Sequence, residues 1–245
     1  MTVTLSEDTA GWPPEGRLFP IRRFDLRILP GDHPVLGQAE AIAENWARET
    51  AANPALFDGR LMFFDRMAVS SEGVFAEGYS TPFSAFMWWR REPRTEGFHI
   101  FAYPVLATSD GALVAIRMGP KTANAGQVYF AAGSLEDVDV IDGRCDVEKN
   151  MRREVLEETG IDLDEAEGGE GYHAVHIRRR VTLVKLFRFR ETADALIARI
   201  EAHIRVAEEE EIAGAVAIRS ADPTAHPYNA AMLPIIEWYF SRAEE

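Results

Sequence analysis

The chain has 245 residues, with 26 Lys and Arg against 40 Asp and Glu, so its formal net charge is −14 with histidine neutral. Hydrophobic residues make up 47% of the chain, enough for the core of one large domain or of one domain with an extension. This acidity, without a long basic run, excludes a general nucleic-acid binder, because such a surface does not attract a phosphate backbone.

The single cysteine, Cys145, excludes an internal disulfide and a zinc site built from several thiolates, and it favours a reducing compartment. The N-terminal residues lack a basic segment followed by an apolar run, and no stretch of about 18 uninterrupted apolar residues occurs. We therefore expect a soluble, cytoplasmic protein that does not bind membranes.

The first part of the chain predicts strands and helices after a proline-rich, extended lead-in over residues 1–20. Alternating apolar residues predict strands, whereas apolar residues at helical spacing predict an amphipathic helix. The predicted elements are a strand over 24–29, a helix over 34–52, strands over 60–70 and 74–79, and a helix over 82–91.

From residue 98 onwards, apolar runs alternate with short turns, and Asp110-Gly111 is a dipeptide typical of a β-hairpin. A loop over 131–145 precedes a helix over 146–159. The other predicted elements are strands over 99–108, 112–118, 127–130, 172–177, 181–189 and 215–219, and helices over 192–206 and 228–242. Because strands and helices mix without a regular βαβ alternation, we expect an α+β fold or a mixed-sheet sandwich.

Three glutamates on one helix face are the main chemical feature of the sequence. Asp146 is a good N-cap residue and Gly160 suits a left-handed helix end. Glu154, Glu157 and Glu158 then stand at i, i+3 and i+4 of the enclosed helix. Carboxylates held together repel one another, and a hard divalent cation such as Mg²⁺ removes that repulsion. A solvated acidic helix face is the alternative explanation of the same spacing.

The string REVLEETGI, residues 153–161, resembles the second half of the Nudix hydrolase signature, G-x5-E-x7-R-E-U-x-E-E-x-G-U, where U is a bulky aliphatic residue. At the standard spacing, Asp139 and Cys145 replace the glycine and the glutamate of the first half. If Gly133 is the glycine, Asp139 takes the acid position. Gly133 then precedes Arg153 by 20 positions (153 − 133) instead of 14, so the loop contains six extra residues.

The resemblance implies a Nudix-type α/β/α sandwich with a mixed sheet over residues 98–245. An α/β extension over 1–97 would pack on this domain or form a dimer interface. The implied activity is that of a metal-dependent pyrophosphohydrolase, a hydrolase acting on phosphoric anhydride bonds. It would cleave the diphosphate of a nucleoside diphosphate linked to another moiety, such as a nucleotide sugar. A homodimer is a further expectation from the resemblance.

Carried over by position, the resemblance implies that Glu154, Glu157, Glu158 and the backbone carbonyl of Gly133 bind the metal. The implied cofactor is Mg²⁺, with Mn²⁺ as a substitute. Arg153 would orient the helix acids. The implied reaction is attack of a metal-polarised water on phosphorus.

Two sources of a general base stay open: Glu157 or Glu158 on the helix, and the glutamate run over 208–211. Arg117 and Lys121 precede the signature and are candidate contacts to substrate phosphates.

Other interpretations also stay open. A non-catalytic Nudix-fold module that binds a nucleotide or regulates a partner is compatible with the altered first half, although its helix would be expected to lack carboxylates. An isoprenoid diphosphate isomerase would need Cys145 in the site, where its position fits poorly. Residues 88–91, two tryptophans followed by two arginines, suit either a packed aromatic cluster or a base-stacking site. The arginines over 178–180 suit either a solvated hairpin or a phosphate contact.

Overall fold

The computed structural model describes residues 3–91, 96–167, 169, 171–207 and 211–242. The strands in these ranges are β1 (Phe19–Pro20), β2 (Arg23–Ile28), β3 (Arg60–Ser70), β4 (Gly73–Pro82), β5 (His99–Ala107), β6 (Leu113–Met118), β7 (Val128–Tyr129), β8 (Val140–Ile141), β9 (Arg144–Cys145), β10 (His173–Ile177), β11 (Arg180–Arg188) and β12 (Ile212–Ile218). The α-helices are α1 (Ala39–Ala52), α2 (Phe83–Trp89), α3 (Val147–Thr159), α4 (Ala193–Ile204) and α5 (Leu233–Ser241).

The strands form two mixed sheets. The larger sheet has the order β1-β10-β11-β5-β6-β12, with the short β7 paired to β6. Its central strands β11 and β5 are parallel, and their neighbours in this sheet are antiparallel. The smaller sheet has the order β3-β4-β2-β9-β8, in which β2 and β4 are parallel. The α+β class expected from the irregular order of elements is confirmed.

Helix α3 is the predicted acidic helix, and local caps set both of its ends. The Asp146 side chain accepts a hydrogen bond from a backbone N–H of the first turn at 3.0 Å. Gly160 ends the helix with a left-handed φ of 67°. Val147, Met151 and Val155 are fully buried, so one stripe of α3 packs into the core while its glutamates lie on another face.

The sequence predicted a single irregular loop over residues 131–145, and this prediction is wrong. A 3-10 turn over Asp137–Asp139 leads into a hairpin formed by β8 and β9. Asp142 and Gly143 make the tight turn, with left-handed φ values of 49° and 72°. Strands of two residues are too short to show an alternating apolar pattern, which is why the sequence did not predict them.

This hairpin accounts for the six extra residues. Asp146 N donates a hydrogen bond to Asp139 O at 2.8 Å across the base of the hairpin, so the chain returns to the point where it left. Strand β9 pairs with β2, and Arg144 Nε donates to Asp25 Oδ1 at 2.9 Å. The insertion therefore attaches the segment before α3 to the smaller sheet.

Strands from both sides of residue 97 enter both sheets. In the larger sheet β1 pairs with β10, and in the smaller sheet β9 pairs with β2. The division of the chain into 1–97 and 98–245 stays a prediction. None of the helices in the described ranges combines the length and the apolar composition that a membrane-spanning segment needs.

The proline-rich lead-in is packed, which corrects the expectation of an extended segment without packing. The Trp12 ring stacks on Phe98 with ring centroids 5.3 Å apart, and it meets His176 edge-on at 5.2 Å. His176 Nε2 forms a hydrogen bond with Pro13 O at 2.7 Å. One large aromatic side chain thus holds a segment that has little regular structure of its own.

Two helices begin later than predicted. The helix expected over 34–52 starts with a 3-10 segment, Pro34–Gln38, before α1. The helix expected over 228–242 becomes α-helical only at Leu233, with Pro234 in its first turn. Proline suits that position because the first N–H groups of a helix have no intrahelical acceptor.

Candidate active site

A turn over residues 132–136 lies directly against the acidic face of α3. Within the turn, Ser134 forms an isolated β-bridge with Phe101 of β5. Gly133 approaches α3 so closely that a Cβ atom there would overlap the Glu154 carboxylate. The turn with the candidate signature glycine and the helix with the candidate metal ligands therefore meet in the structure.

Arg153 arranges the acids at this junction. Its guanidinium forms ion pairs with Glu154 at 2.7 Å and Glu157 at 3.0 Å on its own helix. It also pairs at 3.0 Å with Asp139, whose carboxylate is fully buried and accepts a hydrogen bond from Asn150 Nδ2 at 2.9 Å. These contacts suit the orienting role that the resemblance implies for Arg153.

Asp139 is a residue that the sequence did not assign to the site. With Gly133 as the signature glycine, Asp139 stands at the acid position, and the structure places it beside Arg153. The sequence could have indicated Asp139 only through this alternative alignment of the signature. Choosing that alignment required knowing that the residues after Asp139 form a hairpin, whose two ends lie close together.

Glu158 has a carboxylate oxygen with no partner. The Ala132 backbone N–H donates a hydrogen bond to this carboxylate, while Oε2 is buried and has no hydrogen-bond partner among the described residues. Burial, followed by the negative charges of Glu154 and Glu211, raises the Glu158 pKa well above its usual range. A cation at Oε2 would satisfy the oxygen and relieve the repulsion.

Glu154 and Glu157 occupy different environments. Glu154 is 8% exposed, and burial raises its pKa to about 7, although the charge of Arg153 opposes the shift. The negative charges of Glu136 and Glu157 raise this pKa further. The Glu157 side chain is 59% exposed, so it lies at the edge of the cluster.

The chemistry of these donors fits a hard divalent cation. All the side-chain ligand atoms are carboxylate oxygens, one of them without a partner among the described residues, and the absence of a side chain at Gly133 lets the turn approach the Glu154 carboxylate closely. In the described ranges, no three His, Cys, Asp or Glu side chains are already arranged as a ligand set, and Glu154 and Glu157 face Arg153 instead. The assignment of Glu154, Glu157, Glu158 and Gly133 as metal ligands stays a prediction.

A small cavity of about 90 Å³ opens beside the carboxylates, and Glu154, Glu158 and Glu211 are among its lining residues. Glu211 is the described member of the glutamate run, whose other members, 208–210, lie outside the described residues. The run therefore reaches the site at Glu211, where it is one of the two open sources of a general base.

The remaining predicted residues are not brought into this cluster. Arg117 belongs to β6, and within the described residues no hydrogen bond or ion pair joins its side chain to the helix glutamates. Lys121 lies in the following loop, where its carbonyl accepts a hydrogen bond from Asn53 Nδ2 at 2.9 Å. Both residues stay predictions as phosphate contacts. Cys145 is buried in the hairpin, and burial raises its pKa to about 12, which disfavours the isomerase interpretation.

The tryptophan pair belongs to a packed aromatic cluster. Trp88 and Trp89 are 8% and 4% exposed, and the Trp89 ring lies 5.0 Å from Phe63 and 6.1 Å from Phe86. The packed-cluster interpretation is confirmed, because both rings belong to one buried hydrophobic cluster together with Phe63 and Phe86. Arg90, which follows them, is half-buried; its guanidinium lies over the Phe86 ring of this cluster at 5.9 Å and donates a hydrogen bond to Asn124 Oδ1 at 2.9 Å.

The solved structures similar to this chain include Nudix hydrolases. A MutT protein from Methanosarcina mazei Go1 is 16% identical, over 60% of this chain and 96% of that one, with a TM-score of 0.40. A NUDIX hydrolase from Nitrosomonas europaea is 17% identical, over 60% and 88%, with a TM-score of 0.38. The Nudix hydrolase RenU from M. smegmatis is 9% identical, over 60% and 83%, with a TM-score of 0.35. No family model and no curated protein matches the chain. The assignment of an activity therefore rests on the residues of the site.

Proposed function

We propose that this chain is a metal-dependent pyrophosphohydrolase that cleaves the diphosphate of a nucleoside diphosphate linked to another moiety. The observation that carries the proposal is the buried, unpartnered Oε2 of Glu158 next to the buried Glu154 carboxylate. Two adjacent carboxylates with raised pKa values, one of which has an oxygen without a donor among the described residues, form a site that a divalent cation stabilises. The string REVLEETGI supplies these residues.

Glu154, Glu157 and Glu158 would hold a cation such as Mg²⁺ or Mn²⁺, which when bound polarises water and neutralises charge on phosphate oxygens. Around it, the chain's own groups fix the carboxylates. Arg153 holds Glu154 and Glu157 through ion pairs, and the Ala132 N–H holds one oxygen of Glu158. The other oxygen of Glu158 is left for the cation.

The proton from the attacking water would go to a carboxylate on one of two elements. Glu157 or Glu158 lies on α3, whereas Glu211 precedes β12 and lines the same cavity. Glu211→Gln separates the two possibilities, because turnover falls only if the base is Glu211. Unchanged turnover would assign the step to α3 or to residues 208–210, and Glu210→Gln would be assayed next.

The proposal is tested with a substrate panel in Mg²⁺ or Mn²⁺: nucleoside diphosphate sugars, ADP-ribose, dinucleoside polyphosphates, NADH, CoA and nucleoside triphosphates. We expect turnover of at least one diphosphate conjugate, and a loss on the order of 100-fold or more in Glu158→Gln and Glu157→Gln. Glu201→Gln, an exposed glutamate on α4, is the matched control and should retain activity.

A second measurement separates enzyme from binding module. Mn²⁺ binding, followed by electron paramagnetic resonance, should weaken in Glu158→Gln and stay unchanged in Glu201→Gln. If no panel member turns over faster with the wild type than with Glu157→Gln, the hydrolase proposal fails. Nucleotide binding without turnover would then favour the non-catalytic module.

A further inference from the structure

A row of rings follows one face of β5 away from the carboxylates. His99, Phe101 and Tyr103 occupy every second position of the strand and therefore lie on one face. The ring centroids of successive residues are 5.5 Å and 5.0 Å apart. His99 and Tyr103 are buried, whereas Phe101 is only half-buried. The negative charge of Glu158 acts on Tyr103, so the Tyr103 end of the row is the end near the candidate metal ligands.

Two arginines lie at the opposite end of this row. Arg180 stands opposite His99 in the parallel pairing of β11 and β5, so their side chains share one face of the sheet. Arg180 Nη2 donates to the Arg90 carbonyl at 3.1 Å, and Arg90 Nη2 donates to Asn124 Oδ1 at 2.9 Å. Within the described ranges neither guanidinium forms an ion pair with a carboxylate, whereas the neighbouring Arg91 pairs with Glu49.

Burial and like charge act together at this end. Burial, followed by the charge of Arg90, lowers the Arg180 pKa. Burial and then the two arginines lower the His99 pKa to about 3, so the imidazole is neutral near pH 7. His99 Nε2 is itself buried without a hydrogen-bond partner among the described residues. Two guanidinium groups and an unpartnered imidazole nitrogen offer donors to an anion.

The two ends of the row are further apart than the two phosphorus atoms of one diphosphate. Four residues separate His99 from Tyr103, so their Cα atoms lie about 13 Å apart at the rise of a β-strand, and the ring-centroid steps of 5.5 Å and 5.0 Å bring the two rings somewhat closer than that. Two phosphorus atoms that share one bridging oxygen span much less. Asn124 and Tyr129 connect the ends, since Asn124 Nδ2 lies 3.5 Å from the Tyr129 hydroxyl, on which Glu158 and Glu211 act electrostatically.

We propose that this face of β5 binds the second moiety of the substrate as a phosphorylated nucleoside. Its base would stack on the half-buried Phe101 ring, and its additional phosphate would accept hydrogen bonds from Arg90, Arg180 and His99. The inference rests on the proposed function for the position of the diphosphate at the other end. The substrate class is therefore a diphosphate conjugate whose nucleoside carries a further phosphate on its sugar.

Matched pairs of compounds that differ only in that phosphate test the inference: NADPH against NADH, and CoA against dephospho-CoA. We expect the phosphorylated member to have a KM lower by about tenfold in the wild type, because it forms charge-assisted hydrogen bonds. In the Arg90→Gln/Arg180→Gln double variant the two KM values should become equal. Arg91→Gln is the matched control and should keep the preference.

Direct binding distinguishes failure of this inference from failure of the proposed function. Calorimetric titration with NADP⁺ and NAD⁺, without divalent cation, should show the same phosphate preference and its loss in the double variant. Phe101→Leu should weaken both ligands equally, because both carry the same base. Arg180→Gln alone replaces the double variant if the latter does not fold, since Arg180, the first residue of β11, is the less buried of the two arginines.

Each combination of outcomes is decisive. A phosphate preference in binding that disappears in the arginine variants, without turnover of any panel member, would overturn the hydrolase proposal and keep the inference. Turnover with no phosphate preference, or with a preference that persists in the double variant, would overturn the inference and keep the hydrolase. Neither binding nor turnover would reject both.

Discussion

Gly133 is required at its position because it has no side chain. Its hydrogen atom faces the Glu154 carboxylate, and any Cβ atom would overlap that group. The Glu154 carboxylate is already confined by burial and by its ion pair with Arg153 at 2.7 Å. It therefore has little freedom to move aside without leaving the place where a cation would be bound.

We predict that Gly133→Ala folds normally but loses activity by about 100-fold, because the added methyl group displaces the Glu154 carboxylate by about 1 Å or more. Gly133 does not need a left-handed φ, so the backbone accepts alanine without strain. The measurement is kcat on the best panel substrate, together with the urea midpoint.

Gly37→Ala serves as the control for this substitution. Nothing lies within 4 Å of a Cβ at Gly37, and it also has no left-handed φ. Activity in Gly133→Ala equal to that in Gly37→Ala would show that the Glu154 carboxylate has no role in turnover.

At the scale of elements, Asp139 joins the turn before the hairpin to α3. Its carboxylate accepts hydrogen bonds from Arg153 Nη2 at 3.0 Å, from Asn150 Nδ2 at 2.9 Å and from the Glu136 N–H at 3.0 Å. It is fully buried, so these three donors replace its water. The chain can form the hairpin of β8 and β9 at this point because the residues at both ends of the hairpin are held in place.

We predict that Asp139→Asn lowers the free energy of unfolding by about 3 kcal/mol, because it leaves the largely buried Arg153 without its carboxylate on that side. Urea denaturation measures the change. Asp137→Asn, an exposed neighbour in the same turn, should change stability by less than about 0.5 kcal/mol. Equal stability of the two variants would contradict the stabilising role assigned to the Asp139 carboxylate.

Elements whose ends are set by local chemistry could be predicted from the sequence, whereas features made by distant pairing could not. The Asp146 cap and Gly160 fixed α3, and its three glutamates followed from helical spacing. The hairpin of β8 and β9 depends on pairing with β2, more than 100 residues earlier in the chain (144 − 27 = 117). Likewise, only the register of β11 on β5 brings Arg180 beside His99.

At the scale of the whole molecule, some of the excess acid links elements that are distant in sequence. Glu148 on α3 accepts hydrogen bonds from Lys185 Nζ of β11 at 2.6 Å and from the Tyr172 hydroxyl at 2.9 Å. It also pairs with Arg152 at 3.0 Å. These contacts tie the helix with the candidate metal ligands to the larger sheet, and they hold only while Glu148 is ionised.

The hydrogen bond from Lys185 has the largest effect on Glu148 and lowers its pKa. Burial opposes this shift, whereas the hydrogen bonds from Tyr172 and Arg152 add to it, and together they lower the pKa from 4.5 to about 2. A carboxyl whose pKa is lower in the folded state adds stability above its unfolded pKa. That stability is lost as the pH falls from about 4.5 through about 2.

We predict that Glu148→Gln lowers the free energy of unfolding at pH 7 by about 1 kcal/mol, after allowing for solvent screening of a partly exposed group. The difference from the wild type should shrink toward pH 2, as measured by urea denaturation across this range. Glu44→Gln, at an exposed site on α1, should match the wild type throughout, and a Glu148→Gln difference that stays constant with pH would contradict the assignment.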